Sequence, residues 1–288
     1  MTMAEKWNNP EQKTHGIAQF LIWFTFSATM LAVAILTAQF PTWGNLIFNV
    51  GCGVAVLIFC SAVMFERLKL TTLLTLRFVI ALFVFFSWPG KVYTDFVLLL
   101  LIINILEATF TDFLKNKQYW NGVSGIFLAL GVLGLQGSWN IAESPMYYIE
   151  GVTVWATVAY MIGYTIWNWI FVSGEFSPSV TLMHVGFLTT PIIGCLIMGP
   201  IVGWDKAFGL WLLFRANTLT FGGIMQIGGK KYWEESLHND KFSRMIDFTH
   251  KTWVQIVCMV ICIALMLFVM ISRFTSGTFG WVNPYVGA

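Results

Sequence analysis

The sequence predicts an all-α fold: a polytopic transmembrane helical bundle of about nine spans, N-terminus inside and C-terminus outside. Three observations carry this prediction. Of 288 residues, 57% are hydrophobic and only 10% charged, whereas a soluble domain carries about a quarter charged residues to cover its surface. The mean hydropathy is +0.73, and the apolar residues fall in runs near the length of about 20 that a helix needs to cross hydrocarbon. The basic residues are also strongly uneven between alternate connections, as the positive-inside rule requires.

Taken in order, the predicted spans are 17–38, 44–64, 70–88, 93–113, 122–139, 148–172, 180–203, 207–227 and 253–272. Pro41, Pro89 with Gly90, Pro145 and Pro178 stand between them, where a lost helical hydrogen bond costs least. The fifth span is short and rich in glycine (Gly122, Gly125, Gly131, Gly134, Gly137), which reads either as a re-entrant segment or as a tightly packed helix.

With the N-terminus inside, the cytoplasmic segments hold Lys6, Lys13, Arg67, Lys69, Lys115, Lys117, Lys230, Lys231, Lys241, Arg244 and Lys251. The other side holds Lys91, Lys206 and Arg273. Were the fifth span not to cross, the group from Lys230 to Lys251 would move outside and the bias would collapse. The predicted organisation is therefore a cytoplasmic segment 1–16, a single transmembrane domain 17–272 and an external tail 273–288. Segment 1–16 lacks the basic-then-apolar pattern of a cleaved signal peptide. Within the loop 228–252, Trp233, Leu237, Phe242, Met245 and Phe248 recur at helical intervals. That pattern suits an interfacial amphipathic helix as well as a plain solvated loop.

Several function classes recede. A net charge of +2 with no long basic run gives no footprint for nucleic acid. Cys52, Cys60, Cys195, Cys258 and Cys262 sit in apolar runs without disulfide or zinc spacing and read as small packing residues. No serine-hydrolase elbow, zinc-protease motif, paired-aspartate motif or phosphate-binding glycine loop occurs. No span has a central lysine for a Schiff base. No cofactor or metal is expected.

The informative residues are polar ones inside the spans, because a charge near the bilayer centre costs at least about 2.5–3.5 kcal/mol. Arg77 and Asp112 lie at similar depth in adjacent spans and are expected to form a structural ion pair. Asn104, Glu107 and Thr111 share a helix face in the fourth span. The sixth carries Tyr160, Tyr164, Trp167 and Asn168 on one stripe, and the eighth carries Arg215 with Thr218, Gly222 and Gln226. Joined around one cavity, Glu107 would bind a proton or cation, Arg215 would be its counter-charge or an anion anchor, and the aromatic stripe would wall a substrate. Equally, such pairs serve only to fix helix packing in many proteins. His184, near the start of a seventh span broken by Pro191 and Gly199-Pro200, reads first as a packing histidine.

Three blocks, Ile103 to Ala108 with Asp112-Phe113, Tyr164 to Trp169 with Phe171-Val172, and Arg215 to Leu219, resemble an uncharacterised bacterial family of integral membrane proteins. The resemblance implies a multi-span protein of a bacterial inner membrane and implies no activity. The residues themselves point to a channel or secondary transporter for a small ion or polar solute. The competing expectation is a receptor or assembly subunit, a homo-oligomer or part of a larger membrane complex, with an intramembrane enzyme ranked last. The lipid bilayer is the one partner common to all of these.

Overall fold

The computed structural model describes residues 16–62, 64–88, 90–135, 138–139, 148–150 and 154–275. Helices dominate. In chain order they are α1 (Gly16–Gln39), α2 (Pro41–Phe59), α3 (Met64–Phe85), α4 (Gly90–Thr111), α5 (Tyr119–Gly131), α6 (Val154–Glu175), α7 (Pro178–Val202), α8 (Trp204–Gly209), α9 (Trp211–Gly228), α10 (Lys230–Ser236), α11 (Asp240–Thr249) and α12 (Thr252–Thr275). Two very short extended pieces, Ser138–Trp139 and Tyr148–Glu150, pair antiparallel.

The backbone divides into two compact units. Among the described residues the first takes 16–88 and Phe176–Ile246, and the second takes 90–139, Tyr148–Glu175 and 247–275. In the first unit α9 packs on α7, α1, α2 and α3. Its core is aromatic and branched: Phe26, Met30, Leu70, Leu74, Met183, Phe187, Phe221 and Ile224 are buried together. In the second unit α12 lies against α6 and α5, and α5 also packs on α4. Glycines of α5 and of the 3₁₀ turn Val132–Leu135 after it make those contacts close. A Cβ on Gly122 would strike the Phe113 ring, one on Gly131 the Met266 sulfur, and one on Gly134 a Val269 methyl.

Among the described residues six helical segments are long and apolar enough to cross a membrane: Gly16–Gln39, Pro41–Phe59, Glu66–Phe85, Thr94–Asn116, Pro178–Val202 and Thr252–Arg273. The fifth, sixth and eighth predicted spans do not meet that criterion. The fifth is a short apolar helix, Tyr119–Leu135, finished by a 3₁₀ turn. The sixth begins at Val154 and not at 148, since Tyr148–Glu150 is extended. The eighth is divided at Leu210 into α8 and the 18-residue α9. These three helices are wrapped by protein: thirteen of the 22 residues of α6 and eleven of the 18 of α9 are buried. A helix shielded by its neighbours need not be apolar all round, so polar and aromatic residues lower its hydropathy without a solvation penalty.

The seventh span is continuous through Pro191, contrary to the break expected there. A proline leaves the carbonyl four residues earlier without its helical donor. That carbonyl, Phe187 O, accepts the Thr218 hydroxyl of α9 at 3.0 Å, so the freed group is satisfied across the helix interface. The helix stops at Gly203, whose φ of +93° is open to glycine and strained for other residues.

The 228–252 connection is helical: α10 and α11 occupy most of it. Asn239 starts α11, its side-chain oxygen accepting the backbone N–H groups of Lys241 and Phe242. Gln19 of α1 ties the connection down by donating to His238 O at 2.6 Å and Ser236 O at 3.2 Å.

Candidate functional site

Each unit carries a buried polar cluster seated on a π-helical segment. A π-helical turn widens the helix, and such turns occur mostly as short interruptions at functional sites.

In the first unit the π-helical stretch is Asn45–Gly51, within α2. It presents Asn45 and Asn49, both fully buried, to residues of α3 and α9. Asn49 Nδ2 donates to Asn217 Oδ1 at 2.9 Å and to Asn45 Oδ1 at 3.4 Å. Asn45 in turn donates to Pro41 O. Arg77, 1% exposed and thirteen residues into α3, donates from Nε to the Thr220 hydroxyl at 3.0 Å and from Nη1 to Asn45 Oδ1 at 3.4 Å. Asn217 Nδ2 and Asn49 Oδ1 are buried and have no hydrogen-bond partner among the described residues. A guanidinium, three amides and a hydroxyl thus form one chain of contacts.

The same helix α9 carries Arg215 and Thr218 on another face. Arg215 is 3% exposed, and Thr218 donates to Phe187 O of α7. His184, also on α7, is buried with its ring stacked on Phe176 and tilted against Phe187.

In the second unit the π-helical turn is Asp112–Asn116, continuing α4. Lys117, at φ +54°, turns the chain so that α5 begins beside it. Asp112 is fully buried. It accepts Asn121 Nδ2 at 2.7 Å and Asn116 Nδ2 at 3.4 Å, and Asn121 also donates to Trp167 O. With the Gln118 amide turned to satisfy its neighbours, Gln118 donates to Asp112 Oδ1 and accepts from His250 Nδ1, both at 3.3 Å. His250 Nε2 lies 2.9 Å from the Ser173 hydroxyl. An acid, an amide, an imidazole and a hydroxyl therefore run in series at the end of this unit where α4 and α6 finish and α5 and α12 begin. Lys115 and Glu175 form an ion pair at the same end.

The expected site residues divide between the units. Tyr160, Tyr164, Trp167 and Asn168 are all buried on α6. Their rings do form a continuous run: Tyr160–Tyr164 centroids 6.3 Å apart, Tyr164–Trp167 5.7 Å and Trp167–Phe171 6.1 Å. The run is packed, with Tyr160 reaching Leu128 O of α5 and Trp167 close against Gly125. Asn104 is half-buried and Glu107 exposed, because the buried face of α4 is made by Ile105, Ala108, Thr109 and Asp112. Glu107 belongs to the second unit and Arg215 to the first. Arg77 and Asp112, expected to pair, also fall in different units. The named hydrogen bonds of Arg77 go to Thr220 and Asn45, and those of Asp112 to amides of the second unit. Sequence reasoning missed Asn45, Asn49, Asn217 and Thr220 in the first unit, and Gln118, Asn121, Ser173 and His250 in the second. Asn217 did lie within one of the blocks carrying the family resemblance.

Among the described residues no group of three or more histidine, cysteine or acidic side chains is arranged to hold a metal ion. No family model, no curated protein and no solved structure matches the chain.

Proposed function

We propose that the protein is an integral membrane transporter or channel for a small ion or polar solute, with its binding site in the polar core of the first unit. The observation that carries this reading is Arg77, buried thirteen residues into an apolar helix and bonded to neutral oxygens on two other helices. Intramembrane charge is expensive and marks solute pathways more often than it marks packing. The π-helical segment beneath the cluster supports the same reading, as does the arrangement of backbone irregularity at a polar interior.

In this reading α5, α6 and α9 also cross, giving nine spans with the N-terminus in the cytoplasm. The α9 helix is about 27 Å long at 1.5 Å per residue, close to the roughly 30 Å of hydrocarbon. Arg215 lines the same unit as an anion anchor. The membrane is a bacterial inner membrane if the resemblance of the three blocks reflects kinship.

A second reading has its own support. Asp112 and the aromatic run of α6 are closely packed, as befits a receptor or assembly subunit whose buried charge fixes helix geometry. Flux separates the two. Wild type, Arg77→Gln, Arg215→Gln and Glu107→Gln are reconstituted in liposomes, and solute uptake or current is measured. Loss of flux in Arg77→Gln with normal protein incorporation is expected. Equal flux in wild type and Arg77→Gln would remove this site from any transport mechanism.

A further inference from the structure

We infer that the outward face of α4 is a docking surface for a second copy of this chain, in which Asn104 of each copy bonds Glu107 of the other. The inference goes beyond the transport reading and does not rest on it; it needs only that α4 cross the membrane.

The segment Thr94–Asn116 is long and apolar enough to cross. Its midpoint is residue 105, so Asn104 and Glu107 both lie within about 3 Å of the centre at 1.5 Å per residue. Glu107 is exposed and Asn104 half-buried. Neither side chain has a hydrogen bond or ion pair among the described residues, and the neighbouring Thr111 hydroxyl is spent on the Glu107 backbone carbonyl. Lipid tails offer no donor for a carboxyl and no acceptor for an amide, so polar groups at this depth require protein against them.

The inner face of α4 is already taken, with Ile105, Ala108, Thr109 and Asp112 buried. The outer face is apolar around Glu107: Leu99, Ile103 and Phe110 are 55%, 54% and 57% exposed. Together with Glu107 they follow spacings of four, four and three residues, a stripe about 80° wide on a helix that turns about 100° per residue. Spacings of four and three form the seam between paired helices, where a single polar residue fixes register and the number of chains.

Self-complementarity selects the occupant. A two-fold axis along the membrane normal sets two copies of α4 parallel, with equal residues at equal depth. Asn104 and Glu107 stand three residues apart, about 4.5 Å along the axis. The Asn104 amide of one copy donates to the Glu107 carboxyl of the other, and symmetry supplies the reverse bond. Both groups are then satisfied without any residue from outside the chain. A foreign helix has to bring its own acceptor and donor at matching heights.

The test counts chains in a membrane. The full chain, labelled with one fluorophore at a terminus, is reconstituted at a series of densities in phosphatidylethanolamine–phosphatidylglycerol vesicles, and bleaching steps per spot are counted. Wild type should give two steps, falling to one on dilution. Glu107→Leu and Asn104→Leu should each raise the dissociation constant about tenfold, because each removes both symmetry-related bonds. Glu107→Gln keeps an oxygen for Asn104 and should stay within about threefold of wild type. With copper phenanthroline as oxidant, Ile103→Cys should give a covalent dimer above the background of the native cysteines. Phe268→Cys, on the similarly exposed face of α12, should not. Single-step spots from wild type at every density overturn the inference. Two-step spots unchanged by both leucine substitutions, or no covalent dimer from Ile103→Cys, overturn it as well. A cross-link from Ile103→Cys to a different protein in native membranes would make a foreign helix the occupant and overturn self-pairing.

Discussion

At the scale of single residues, interior polar groups here are held by amides and hydroxyls as much as by opposite charges. Asp112 rests on Asn121 and Asn116, so Asp112→Ala strands a buried amide donor. A loss of about 1–3 kcal/mol is expected, read as a lower thermal midpoint in detergent, with Asp112→Asn losing less. Gly125 is a steric counterpart: a Cβ there would meet Thr109 Oγ1 and the Trp167 indole nitrogen. Gly125→Ala should cost about 1–3 kcal/mol by overpacking, and unchanged stability would mean that α4, α5 and α6 are not this close. Residue identity alone gave little warning of the asparagines. Asn45 and Asn49 carry no charge and sit in an apolar run just after Pro41, so they do not stand out as Arg77 does. Glu107 stood out for its charge, yet spacing fixes only which residues share a face. The packed face of α4 is that of Ile105, Ala108, Thr109 and Asp112, which places Glu107 on the opposite side.

At the scale of elements, the π-helical stretch of α2 sets the register between Asn49 and Asn217. Deleting one residue within it, Phe48, would rotate the following side chains by about 100°. Flux should be lost, while circular dichroism keeps its helical signal; retained flux would show that the widened turn is incidental. Asn239 gives a local control away from the cluster. As the cap of α11 it accepts two backbone N–H groups, and Asn239→Ala should cost about 0.5–2 kcal/mol without altering flux. Hydrophobic runs located α1, α2, α3, α4, α7 and α12 well, because those helices expose broad apolar faces. The same signal weakens for α5, α6 and α9, whose polar and aromatic residues are covered by protein. The continuity of α7 through Pro191 was not legible either, since it depends on a hydroxyl donated from α9, a helix distant in sequence.

At the scale of the whole molecule, the proposed topology has α5, α6 and α9 cross the membrane along with the six strongly apolar segments found among the described residues. Nine crossings put the two termini on opposite sides of the membrane, whereas the six most apolar segments alone would put them on the same side. The basic residues of alternate connections favour the odd number. Division into two compact units was not visible in the sequence, because the chain leaves the first unit after Trp88, returns at Phe176 and departs again after Ile246. Such interleaving leaves no linker composition to read. The most direct measurement is therefore the sidedness of the two ends: separate N- and C-terminal tags on the full chain in sealed membranes, challenged with protease from one side. With nine crossings, one tag is cut and the other protected. Both cut, or both protected until the membrane is opened, would contradict it.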